Sequence, residues 1–336
     1  MSLQQLGLQP VEGLAMSEFN HRPVMRDEIV ATFAPVPPGV VLDATLGGGG
    51  HSEALLDSRP DLSILGIDRD PVALAAAEER LERFGPRAMT FRGRFDELAT
   101  AMTMHSVTEL SGALFDLGVS SPQLDVADRG FSYRNDGPLD MRMDTDAEWS
   151  ADDVVNGYDE RRMSDLIARY GDERFAKRIA KAIVAARPIE STTQLAAIVT
   201  SAIPAPARRT GGHPAKRTFQ AIRIEVNAEL DAIPDAIDSA VEALVPGGRI
   251  AVLAYHSGED RIVKSRLREA ETGGCECPSD LPCVCGAIKT VRIVRGVPKR
   301  PGVPEQAANK RATSARFRVA EKLPPEPTGF TEQGRN

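Results

Sequence analysis

Acidic residues and glycines stand at the ends of apolar runs in this chain, where a ligand could be held. Asp43 closes Val40-Val41-Leu42 and leads into Gly47-Gly48-Gly49-Gly50, with His51 directly after. Asp68 closes a second apolar run, Leu62 to Ile67, and Asp116 closes another, Ala113-Leu114-Phe115. Glycine lets a backbone approach a ligand closely and take positive φ. A carboxylate at Asp68 can accept both hydrogens of a ribose diol. A carboxylate at Asp116 can bond an ammonium group or a reacting amine and receive its proton. The glycine cluster does not follow the dinucleotide pattern G-x-G-x-x-G, because counting from Gly47 ends on Ser52 and counting from Gly48 ends on Glu53. Asp43-x-x-x-Gly47-x-Gly49 fits better the acidic, glycine-spaced loop of S-adenosylmethionine (SAM) methyltransferases. It departs from their usual form in carrying Thr45 where a first glycine often sits. Asp68 has a second reading, as the N-cap of the next helix, although Asp70-Pro71 makes the better cap.

These residues need strands and helices in alternation. Val40–Asp43, Leu62–Asp68, Met89–Phe91 and Ala113–Asp116 read as buried strands, and His51–Ser58 and Pro71–Phe84 as the helices between them. That spacing predicts an α/β fold with a doubly wound, Rossmann-like parallel sheet. The alternation stops from about Asp125 to Asn227, where loop gives way to helical patterns. Ser191-x-x-Gln194 reads as a capping box, Phe175, Ile179 and Ile183 share one face, and Ile222 to Leu244 form a long face broken at Pro234. Pro246-Gly247-Gly248 then opens a fifth strand, Arg249–Tyr255, another habit of SAM-dependent folds, and Ile288–Val294 and Ala315–Ala320 follow as further strands. The expected organisation is an unstructured stretch at 1–17, a discontinuous methyltransferase core at 18–124 and 228–322, an inserted all-helical substrate domain at 125–227, and a flexible tail at 323–336.

The chain has 336 residues, 42% hydrophobic and 26% charged, which excludes a disordered composition. No apolar run reaches the ~18 residues of a membrane span, and the first residues do not read as a signal peptide, so a cytoplasmic setting is expected. The net charge of −7 argues mildly against a nucleic-acid partner. The charge is unevenly spread, however. Residues 205–223 carry Arg208, Arg209, Lys216, Arg217 and Arg223 with no acid, and residues 287–318 carry nine Lys or Arg against Glu305 alone. Two such runs in an acidic chain fit an RNA backbone footprint, although charge runs are usually only solvated faces. Phe131 and Phe219 lie near basic residues, with core packing the stronger reading for both.

The loop after the fourth strand reads Asp116-Leu-Gly-Val-Ser-Ser-Pro-Gln123. With it stand His21-x-Pro-Val-Met25, Asp43-Ala-Thr-Leu-Gly-Gly-Gly-Gly-His-Ser52, Ile67-Asp-Arg-Asp70, Arg129-Gly-Phe-Ser132 and Asp136-Gly-Pro-Leu-Asp-Met-Arg-Met-Asp144. The chain also carries Gly171-x-Glu-Arg-Phe-Ala-Lys-Arg178, His213-Pro-Ala-x-Arg-Thr-Phe-Gln220 and His256-Ser-x-Glu-Asp-Arg261. Across residues 20 to 320 the chain closely resembles the bacterial ribosomal RNA small subunit methyltransferase H family, whose members methylate N4 of a cytidine in the decoding centre of 16S RNA. The resemblance implies SAM as cofactor and 16S rRNA, within a small ribosomal subunit, as partner. It also implies that Gly49, Gly50 and His51 line the SAM site with Asp68 at the ribose, that Phe95 lies against the adenine, and that Asp116 and Gln123 lie near the methionine end. Phe95 as plain core and Gln123 as a solvated loop residue are the bland alternatives.

Chemistry narrows the reaction roles. The cytosine amine is a poor nucleophile because its lone pair is delocalised into the ring, so an acceptor must draw on its hydrogen and take the proton. Asp116 is the candidate, although Asp-Leu-Gly matches only loosely the (Asp/Asn/Ser)-Pro-Pro-aromatic motif of many amino-methyltransferases. His256, Ser257 and Asp260 follow the fifth strand and would position substrate, with His256 or Asp260 a reserve base; equally, Ser257 would cap a helix running to Arg268. Asp140 and Arg142 would contact cytidine or its phosphate, or belong to a solvated loop, and Lys216 and Arg217 would meet RNA. Cys275-x-Cys277 and Cys283-x-Cys285 could give four thiolates to zinc, but C-x-C is tighter than the usual spacing and the resemblance supports no metal there, so no metal is expected. Two other functions fit less well: RNA methylation of another exocyclic amine, and a ribosome-assembly factor that uses SAM only structurally.

Overall fold

Apolar residues in the central strands run on without alternation, and that is what a parallel sheet covered on both faces requires. In the computed structural model, which describes residues 22–209, 212–278 and 284–325, seven strands form one sheet: β1 (Gly39–Asp43), β2 (Leu62–Asp68), β3 (Ala88–Arg92), β4 (Leu110–Asp116), β5 (Leu244–Ala254), β6 (Val291–Ile293) and β7 (Arg316–Lys322). Their order is β3-β2-β1-β4-β5-β7-β6. β1 to β5 are parallel, and β7 pairs antiparallel with both β5 and β6. The doubly wound α/β expectation is met. Successive side chains leave on opposite faces, so Val41, Ile64, Leu114 and Leu253 join one apolar cluster with Phe33 and Leu55. Leu42, Leu65, Phe115 and Val252 join the other with Ile237 and Val263.

The helices are α1 (Arg26–Phe33), α2 (Gly50–Ser58), α3 (Pro71–Leu81), α4 (Leu98–Met104), α5 (Ser121–Asp125), α6 (Ala151–Gly157), α7 (Glu160–Gly171), α8 (Ala176–Ala185), α9 (Thr192–Ala202), α10 (Lys216–Asn227), α11 (Ile233–Ala243), α12 (Ser257–Thr272) and α13 (Val303–Ala308). Between β4 and β5, a third cluster from Phe131 to Ile222 includes Val154, Ile167, Ile179, Ile183 and Val199. Phe131 and Phe219 are both buried in it, as core packing demands.

Several local expectations change. α3 ends at Leu81 and passes into a 3-10 turn over Glu82–Arg87, which holds Gly85 at positive φ and Pro86. The long face from Ile222 breaks at Ala228, which is left-handed, and Pro234 sits in the first turn of α11 where its missing N–H costs nothing. Leu244 belongs to β5, not to that helical face. Ser191 does cap α9, but Gln194 takes the N–H of Glu190 instead of closing a capping box. The strand expected at Ile288–Val294 shortens to Val291–Ile293. The stretch expected to be unstructured at 1–17 lies outside the described residues, as does the tail beyond 325.

Candidate active site

The strand order reverses between β1 and β4, and a doubly wound sheet holds its ligand outside the carboxyl ends of the strands at that reversal. Asp43 and Asp116 end these two neighbours. They do different things. Asp43 is 1% exposed, accepts from Ser52 Oγ at 2.6 Å and from Thr45 N at 3.4 Å, and has its carboxyl pushed up by burial. It anchors the start of α2 from beneath the glycine loop. Thr45, the departure from the usual glycine, has a task of its own: its Oγ1 accepts the backbone N–H of Asp116 at 2.6 Å and joins the two strand ends.

The glycine loop is tied to β2 through Asp68. Its Oδ2 accepts from Gly47 N at 2.7 Å and its Oδ1 from Asp70 N at 2.9 Å, while burial pushes the carboxyl to about 6. Asp70, not Asp68, caps α3 through Val72 N. Gly47 and Gly49 have φ of +52° and +75°. A Cβ on Gly49 would meet Ala77 at 3.3 Å, and one on Gly50 would meet Pro23 at 2.6 Å. Both are therefore small for packing against α3 and the chain before α1. Phe95 is half-buried and meets Phe115 edge-on, with centroids 6.1 Å apart. Beside it, between Arg69, Arg92, Arg94 and Asn227, opens a cleft of about 420 Å³.

At the end of β4 the Asp116 side chain is 24% exposed. Its Oδ1 accepts the Tyr255 hydroxyl at 2.7 Å, and its Oδ2 lies 3.5 Å from His51 Nε2. His51 is buried, and neither ring nitrogen has a hydrogen-bond partner among the described residues. Burial and the Asp116 charge raise the Tyr255 phenol well above its ordinary value, so it remains a donor. Tyr255 was not legible as a site residue: it directly follows β5, and its partner Asp116 lies 139 positions away.

His256 lies one residue further, and the structure gives it the capping role expected of Ser257. Its Nδ1 accepts from Gly258 N and Glu259 N, and Ser257 is simply the first residue of α12. Its Nε2 faces Glu259 Oε1 at 3.0 Å, so both ring nitrogens are turned to protein groups. Glu259 is 1% exposed and accepts from Tyr255 N at 2.7 Å and His256 N at 3.2 Å. Burial alone would raise its carboxyl, but the His256 ring and the Arg223 charge hold it below its ordinary value. The signal for Glu259 was present as a capping box with histidine in the serine's place. Asp260 is turned away, in a two-pronged pair with Arg318 of β7 at 2.8 and 3.0 Å.

A second buried network gathers around Asp70. Asp70 Oδ2 accepts from Gln123 Nε2 at 2.9 Å and from Arg129 Nη1 at 2.8 Å, and Gln123 Oε1 accepts from Ser120 N. Gln123 is thus 5% exposed, not a solvated loop residue. Arg129 also donates to the carbonyls of Arg142 and Met143, while Asn227 holds the same loop through Met141 O and Met143 N. Arg129 and Asn227 were missed as single residues because their partners lie 59 and 84 positions away. Asp140 and Arg142 bond each other, so neither is an idle loop charge.

The basic segments contribute less than their sequence count. Arg208 donates to the carbonyls of Ile203 and Ser201, and Arg223 is locked onto Glu229 at 2.8 Å through two nitrogens. Lys216 is exposed; Arg217, also exposed, donates to Asp172 O. In the second segment Arg292 and Arg318 pair with Glu321 and Asp260, while Lys289, Arg295, Lys299 and Arg300 are exposed. Cys275, Cys277 and Cys285 converge; Cys283 lies outside the described residues. No helix among the described residues is long and apolar enough to cross a membrane.

Residues 18–323 match the MraW methylase family. A relative from Trichlorobacter lovleyi is 49% identical over 313 residues, 92% of this chain and 100% of that protein. One from Heliobacterium modesticaldum is 47% identical and covers 91% of this chain and 99% of its own length. One from Kocuria rhizophila is 49% identical, with 92% and 96% covered. All three are named ribosomal RNA small subunit methyltransferase H.

Proposed function

Because the chain belongs to the MraW methylase family, we propose that it moves a methyl group from SAM to the exocyclic N4 amine of a cytidine in 16S ribosomal RNA. The carrying observation is Asp116: a carboxylate at the sheet's reversal point, fixed on one oxygen by Tyr255, with its other oxygen 3.5 Å from His51 Nε2 and its side chain 24% exposed. The donor set fits SAM. Asp68 keeps lone pairs beyond its two backbone bonds for a ribose diol, Phe95 offers an aromatic face, and His51 Nδ1, with no hydrogen-bond partner among the described residues, supplies a polar contact that a ligand would use. When bound, SAM supplies an electrophilic methyl on a sulfonium centre.

The protein's own groups act on the amine. Asp116 Oδ2 accepts one N4 hydrogen, which draws the nitrogen lone pair out of conjugation with the ring. Tyr255 fixes the rotation of the carboxylate, so the accepting oxygen keeps one direction. As the nitrogen gains its methyl and becomes positive, Asp116 takes the proton, with His51 3.5 Å away to share it. The insertion between β4 and β5 is the substrate unit in this reading. Arg129 ties its 139–143 loop to Asp70 at the start of α3, and Asn227 holds the same loop through Met141 and Met143.

The test supplies methyl-labelled SAM and small ribosomal subunits that lack the modification, then identifies labelled nucleosides by mass. Label on N4 of cytidine supports the proposal. Label on another amine, or none, contradicts it.

A further inference from the structure

Far from the methyl-transfer site, at the other end of α12, three thiols gather. The sulfur atoms of Cys275, Cys277 and Cys285 all lie within 4.8 Å of one another. Around a tetrahedral zinc with Zn–S bonds of about 2.3 Å, sulfurs stand about 3.8 Å apart. A contraction of about 1 Å would therefore bring three ligands into place. Turns at both ends shape the loop. Gly273 and Gly274 have φ of +64° and +72° just before Cys275, and Gly286 has +69° just after Cys285. Cys275 is also fastened to the end of α12, its N–H donating to Thr272 O at 3.3 Å.

We propose that Cys275, Cys277 and Cys285 form a structural zinc site, its fourth position filled by water or another donor. The ion fastens Cys275 and Cys277 to Cys285, four residues ahead of the exposed Lys289; the exposed Arg295, Lys299 and Arg300 follow beyond β6. Soft thiolate ligands at this count select zinc over magnesium or calcium. No residue of the methyl-transfer site takes part, so the inference stands apart from the reaction proposed above.

Elemental analysis of the full chain, purified without added metal or a metal-affinity step, tests it. About one zinc per chain is expected, and cobalt substitution is expected to give thiolate-to-cobalt charge-transfer absorption. Cys277→Ser, and separately the pair Cys275→Ser with Cys285→Ser, are expected to lose the metal while keeping native circular dichroism and binding of a SAM analogue. Metal-free protein would overturn the proposal, as would a disulfide joining any two of the three cysteines or zinc retained in both variants.

Discussion

The hydroxyl of Tyr255 donates to Asp116 Oδ1 at 2.7 Å, joining the ends of β4 and β5 across 139 positions of sequence. With Glu259 holding the Tyr255 N–H and Thr45 holding the Asp116 N–H, the pair is fixed from both sides. The carboxylate proposed to accept the amine hydrogen is thus oriented by packing and hydrogen bonds.

Tyr255→Phe removes only that hydroxyl. A hydrogen bond to a charged group contributes about 1.5–3 kcal/mol, so kcat is expected to fall roughly tenfold to hundredfold with little change in the SAM KM. Steady-state kinetics on subunits measure the split. An unchanged kcat would mean that the bond does not orient the reacting group.

Asp68 gives a pH signature. Its carboxyl sits at about 6, raised by burial from an ordinary 3.8. Binding a ribose diol needs the ionised form, so affinity for S-adenosylhomocysteine is expected to fall about tenfold per pH unit below about 6, with proton release on binding near that pH. For folding the sign is opposite. A raised carboxyl contributes stability below its unfolded value, and that contribution is lost as pH rises through about 6. Calorimetry in buffers of different ionisation heat reads the proton release, and Asp68→Asn should abolish it.

Arg129→Ala leaves the 1%-exposed Asp70 without its cation and frees the 139–143 loop. Breaking a buried pair costs about 3–5 kcal/mol. A marked drop in Tm is expected; an unchanged Tm would show that the network adds nothing to stability.

Asp260→Ala separates two readings of one residue. Its pairing with Arg318 predicts kcat near wild type and a stability loss of about 1 kcal/mol. A collapse of kcat in folded protein would restore Asp260 as a reaction group.

Lys299→Glu with Arg300→Glu tests the exposed basic strip. If both contact phosphate, the slope of log affinity against log salt for small subunits should shrink by about 2. An unchanged slope would move the RNA contact elsewhere.

What the sequence made legible follows from contact range. Asp43, Asp68 and Asp116 announce themselves because each ends an apolar run whose neighbours in sequence are also its neighbours in the strand. Asp70 as a cap is equally local. The roles of Tyr255, Arg129, Asn227 and Arg223 depend on partners brought together only by the folded sheet and insertion, and no spacing rule reaches that far. Asp260, Arg208 and Arg223 mislead in sequence for the same reason. A charge looks available until the fold supplies its partner.

The central claim is that the Asp116 carboxylate accepts the cytidine N4 hydrogen during methyl transfer. Its most direct test compares wild type with Asp116→Asn by mass analysis of nucleosides from 16S RNA after incubation with SAM, with binding of S-adenosylhomocysteine measured in parallel. The account predicts N4-methylcytidine from wild type, none from Asp116→Asn, and near-normal binding by both. N4 methylation by Asp116→Asn at the wild-type rate would contradict it, as would a variant that fails only because it no longer binds the cofactor.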